Sequence, residues 1–90
     1  MRIPSYQRFQ IAAIVDQCID VTNAGTYSAS FRYGASNHID VITRRMNPTG
    51  DSDDVQHHWA RVGSPDLSAK LTEITKHLDR LLAASQERLQ

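Results

Sequence analysis

The fold turns on Tyr27-Ser28-Ala29-Ser30-Phe31-Arg32-Tyr33, then Gly34-Ala35-Ser36-Asn37, then His38-Ile39-Asp40-Val41-Ile42-Thr43-Arg44-Arg45-Met46. Successive side chains of an extended chain point to opposite faces, so a hydrophobic period of two marks a strand buried on one side. The first run puts Tyr27, Ala29, Phe31 and Tyr33 on one face and Ser28, Ser30 and Arg32 on the other. The second sets Ile39, Val41 and Thr43 against Asp40, Ile42 and Arg44. Small residues at 34–37 supply a turn between them, so the two runs form an antiparallel hairpin.

Working outward, Asn47-Pro48-Thr49-Gly50-Asp51-Ser52-Asp53-Asp54 contains every turn-forming residue type and reads as a mobile surface loop. Val55 to Val62 alternates again, with Val55, His57, Trp59 and Arg61 opposite Gln56, His58, Ala60 and Val62. A third strand would extend the hairpin into a meander. Upstream, Pro4 and Ser5 signal a helix start, with Ser5 as cap, and Ile11, Ile14, Val15, Cys18, Ile19 and Thr22 recur at helical spacing until Gly25. The helix is expected over residues 5 to 23. Downstream, Ser64-Pro65-Asp66 reads as a capped start with Pro65 in the first turn. Leu67, Leu71, Ile74, Leu78 and Leu81 follow at alternating spacings of four and three, with Leu82 and Leu89 beside that seam. Such a helix lies on the sheet, and its seam could also pair with a second copy. The expected fold is a single α+β domain over residues 1–90: N-terminal helix, three-stranded meander, long amphipathic C-terminal helix.

Ninety residues bury a thin core, for which homodimerisation is a common remedy. Ten basic and ten acidic side chains cancel, which argues against both a strongly basic nucleic-acid binder and an acidic DNA mimic. The single cysteine, Cys18, requires no oxidising compartment, and no apolar run resembles a signal peptide or reaches bilayer-spanning length. A cytoplasmic protein without membrane contact is expected.

The candidate chemical clusters fail on spacing or facing. Asp51, Asp53, Asp54, His57 and His58 could share a metal, but Gln56 and Val62 stand where a calcium loop needs glycine and glutamate. On a strand, His57 and His58 also point to opposite faces. His38 beside Asp40 could act as a general base, although polar residues at a hairpin end are ordinary. Cys18 falls on the apolar stripe, and no nucleophile elbow or glycine-rich phosphate loop is present. No catalytic residue, cofactor or metal is therefore assigned, and the expectation is a protein that is not an enzyme.

The remaining candidates are binding residues. Arg32, Arg44, Arg45, Asp53, Asp54, His57, Trp59 and Arg61 cluster around the hairpin and the third strand, and tryptophan with arginine is the pairing that dominates protein-binding hot spots. Tyr27, Phe31 and Tyr33 with Arg32, Arg44 and Arg45 would alternatively suit single-stranded nucleic acid, except that these aromatics share a face with Ala29, as core residues do.

Phe31-Arg32-Tyr33-Gly34 followed by Asn37-His38-Ile39-Asp40-Val41 resembles a pattern in small uncharacterised proteins carried by bacteriophages and prophages. The resemblance implies a short accessory protein of a mobile element that binds a host protein as inhibitor or adaptor. The expected function is thus a non-enzymatic, regulatory protein-binding module whose partner is a host protein or a second copy of the chain. The alternative is a nucleic-acid-binding regulator using the hairpin arginines, and a metal-dependent hydrolase centred on His57 and His58 is a third, weaker reading.

Overall fold

A computed structural model, which describes residues 3–34 and 37–88, runs α1 (Ser5–Asn23), β1 (Tyr27–Tyr33), β2 (His38–Met46), β3 (Ser52–Arg61) and α2 (Leu67–Arg88). The strands form one antiparallel sheet in the order β1-β2-β3, so the α+β meander between two helices is the observed fold. Ala35 and Ser36 of the hairpin turn, and Leu89 beside the leucine seam, lie outside the described residues.

Both helices cover the same face of the sheet. The core joins Ile14, Cys18 and Val21 of α1 to Ile39 and Val41 of β2, Ala60 of β3, and Leu67, Leu71, Ile74 and Leu78 of α2. Tyr27, Ala29 and Phe31 of β1 pack against its margin, on the face their alternation assigned them. The seam of α2 is accordingly occupied inside the chain. Gln7 of α1 donates to Ser68 of α2 at 3.2 Å, and Gln17 donates to Asp79, so polar pairs flank the apolar contact between the helices.

Several local expectations are corrected. The buried stripe of α1 is Ile14, Cys18 and Val21, whereas Ile19 is 53% exposed and Thr22 faces solvent. Apolar residues surround this helix on several sides, so spacing alone admits more than one inward face, and packing against α2 selects between them. Ser5 does not cap α1. Pro4 precedes the helix, and its carbonyl accepts from the Gln7 and Arg8 N–H groups at 3.1 and 3.0 Å. At the other end Gly25 takes φ +88°, a left-handed conformation that suits glycine. Pro65 lies ahead of α2, which begins at Leu67, while the Ser64 hydroxyl donates to the Asp66 carboxylate.

The acidic loop is also shorter than expected. The Asn47 N–H donates to the Asp51 carbonyl and the Gly50 N–H to the Asn47 carbonyl, both at 2.9 Å, and the strand resumes at Ser52. Asp53 and Asp54 therefore belong to β3. Thr43 pairs with Gln56 and Arg45 with Asp53, so two steps along β2 match three along β3. The extra residue is a bulge at Asp54, whose φ is +53°.

Candidate binding surface

The sheet face opposite the helices carries Ser30 and Arg32 from β1, His38, Asp40, Ile42 and Arg44 from β2, and His57, Trp59 and Arg61 from β3. The helices pack on the opposite face, from which Lys70 of α2 reaches the Trp59 ring. The centre of the open face is Asp40, only 12% exposed, which stands opposite Arg32 in register and diagonal to His57. His57 Nε2 lies 2.7 Å from Asp40 Oδ1, and Arg32 Nη2 lies 3.7 Å from Oδ2. The hydrogen bond from His57, and then the nearby positive charges, hold the Asp40 carboxyl below its ordinary range. Asp40 thus stays ionised and orients the His57 ring, with the exposed Arg32 guanidinium as a looser ion-pair partner.

Trp59 is 47% exposed on this face and is held by two neighbours. The His38 ring stacks on it, with centroids 5.6 Å apart and planes 23° from parallel. Lys70 reaches round from α2 and places Nζ 3.8 Å from the indole centroid, a cation–π contact. A large aromatic ring fixed in an exposed position loses little entropy on binding.

The structure brings Arg32, Arg44, His57, Trp59 and Arg61 to this one face. Arg45 and Asp53 are elsewhere: Arg45 follows Thr43 by two on the helix-covered face, and its guanidinium donates twice to the Asp53 carboxylate, at 3.0 and 2.9 Å. That pairing lowers the Asp53 carboxyl and raises the Arg45 guanidinium, leaving neither available as a free charge. Asp54 is exposed at the bulge and has no partner in the β2–β3 register.

Two features escaped sequence reading. Asp40 pairs with His57 rather than with its near neighbour His38, a contact that only the register of β2 against β3 creates. Lys70 comes from a helix distant in sequence, and no local pattern marks it. On the covered face, His58 packs against His77 of α2 with ring centroids 4.3 Å apart, and His77 Nε2 meets Thr43 Oγ1 at 2.9 Å. His57 and His58 therefore do not converge on one ion, and no group of three or more potential metal ligands occurs among the described residues.

As chemistry, the Asp40–His57 pair resembles the orienting half of a nucleophilic site, but its ring bonds to no hydroxyl or thiol among the described residues. Cys18 is buried in the core, and burial pushes its thiol pKa up, away from the reactive thiolate. The open face brings together cationic side chains, one central anion and an indole held by two neighbours. No described helix is long and apolar enough to cross a membrane. Neither a family model, a curated protein nor a solved structure matches this chain.

Proposed function

We propose that this chain is a non-enzymatic binding module that docks a partner protein on the open face of its sheet. The observation carrying this reading is the convergence of Arg32, Arg44, His57, Trp59 and Arg61 on a face that no described element covers. Interface anchors are typically tryptophan and arginine, and a three-stranded face of this kind presents them without rearrangement. The phage-like hairpin pattern favours a host protein as the partner, with inhibition or adaptation as the outcome, in the cytoplasm; a second copy of the chain is the other protein partner the face admits.

The test is a pull-down from host lysate with the wild-type chain and with Trp59→Ala, each checked for folding by circular dichroism. A protein retained by the wild type and lost with Trp59→Ala supports the reading. Equal retention by both overturns it.

Nucleic acid is the second reading, favoured by Arg32, Arg44 and Arg61 sharing a face with Trp59. Asp40 at the centre and a single exposed indole weigh against it, because strand binders offer several stacking rings along a uniformly basic groove. Affinity for single-stranded RNA that falls steeply with salt would favour it over a protein partner.

A further inference from the structure

The two outer strands of the sheet are finished differently. In β1 the residues that face away from β2 include Ala29, and the Thr22 hydroxyl of α1 engages both of its backbone groups. It accepts from the Ala29 N–H at 3.1 Å and lies 3.3 Å from the carbonyl oxygen. At Ala29 that edge is engaged by the chain itself, a common protection against unwanted strand pairing.

β3 has no such closure. The Val62 N–H donates inward to Asn37 of the β2 side, so by alternation Trp59 and His57 direct their N–H and C=O groups outward. Among the described residues nothing bonds to these groups. The Asp54 bulge ends the regular edge on one side, and the Arg61 carbonyl, bonded to the Ser64 N–H, ends it on the other. Between them lies a short strand-sized slot.

The slot is basic at its Arg61 end. Arg61 and the Lys70 ammonium over Trp59 stand at one end of the slot on the open-face side, Asp54 stands at the bulge that ends the other, and Asp40 is engaged by His57. Resting on the open-face reading, we infer that β3 accepts an extended, acidic segment of the partner protein as a fourth strand. Main-chain bonds to His57 and Trp59 supply the pairing, and alternate carboxylates meet Arg61 and Lys70. The apolar side chains between those carboxylates fall on the opposite, helix-facing side of the added strand.

The probe is a synthetic peptide of alternating glutamate and valine, added to the full chain uniformly labelled with nitrogen-15, with amide hydrogen exchange read at His57 and Trp59. Exchange at both amides should slow, and Arg61→Glu, an exposed change, should weaken binding by about tenfold, as should Lys70→Glu, which also removes a support of the Trp59 ring. The same peptide N-methylated on alternate amides, or with lysine for glutamate, should not protect them. A peptide that shifts His38, Asp40 and Ile42 without protecting His57 and Trp59 overturns strand addition and leaves the open-face reading standing. No binding of the acidic peptide also overturns it, while the Trp59→Ala pull-down judges the open face separately.

Discussion

The Nε2 atom of His77 lies 2.9 Å from the Thr43 hydroxyl beneath α2, with the His58 ring 4.3 Å away between centroids and, among the described residues, no carboxylate bonded to either imidazole. His77 is 5% exposed, and burial, aided by the positive fields of His58 and Arg80, pushes its pKa down to about 4. His58 is shifted the same way, chiefly by burial, with Glu73 opposing; its Nε2 is buried without a partner among the described residues. Both rings are therefore neutral in the folded protein at neutral pH.

The first prediction follows from the sign of that shift. Between pH 6.5, the ordinary imidazole value, and about 4, the unfolded chain binds a proton that folded His77 refuses. The resulting stability is complete above the unfolded pKa and lost as pH falls through this window, by up to roughly 3 kcal/mol for His77 alone. Urea midpoints at pH 7 and pH 5 should show the protein weaker in acid. His77→Leu paired with Thr43→Val, which removes both polar partners together, should flatten that slope. A slope unchanged in the double variant would mean that other groups set the acid limit.

The second prediction contrasts two apolar residues that spacing alone treats alike. Leu71 is fully buried, so Leu71→Ala should cost about 2–5 kcal/mol in chemical denaturation. Ile19 is 53% exposed despite lying on the expected stripe, and Ile19→Ala should change stability by less than about 0.5 kcal/mol. Comparable losses from both would place Ile19 in a contact surface outside the chain's own core.

That contrast marks where the sequence was legible. The strands were, because a period of two grouped Ile39 with Val41 and Trp59 with Arg61; which group faced outward was not legible, and the full burial of Ile39 and Val41 decides it. α2 was, since its polar positions leave a single seam. α1 was legible as a helix but not in its facing, being apolar on several sides, so that Val21 was missed and Ile19 overvalued. Buried His77 and Ser85 were missed because polar residues enter a core only through partners, and those partners are Thr43 across the sheet and the Leu81 carbonyl, which accepts from Ser85 at 3.0 Å. The site was legible as a composition. Its central Asp40–His57 pair and the reach of Lys70 depend on register and helix placement, which no local pattern encodes.

The third prediction concerns the bulge. Asp54 holds φ +53°, a conformation that short polar residues tolerate and β-branched ones do not. Asp54→Val should cost about 1–2 kcal/mol, whereas Asp54→Gly should be neutral or mildly stabilising. Thermal melts of the two variants check this. A well-tolerated valine would show that the bulge relaxes, and with it the boundary of the free β3 edge.

The fourth prediction uses the chain's one tryptophan as its own reporter. Trp59 is half exposed and touched by a cation from α2, so its emission should be that of a partly solvated indole, open to quenching by acrylamide. Lys70→Ala removes the cation–π contact, worth about 0.5–1 kcal/mol at such a site, and should make the ring more mobile and more readily quenched. Any partner seated on the open face must cover the same ring, because Trp59 stands on that face beside His38 and opposite Asp40 in register. Binding should therefore shift emission to shorter wavelength and suppress acrylamide quenching. A ligand that binds tightly while leaving both signals unchanged is bound elsewhere, and α1, with Tyr6 and Phe9 exposed on its outer side, would then be the surface to probe.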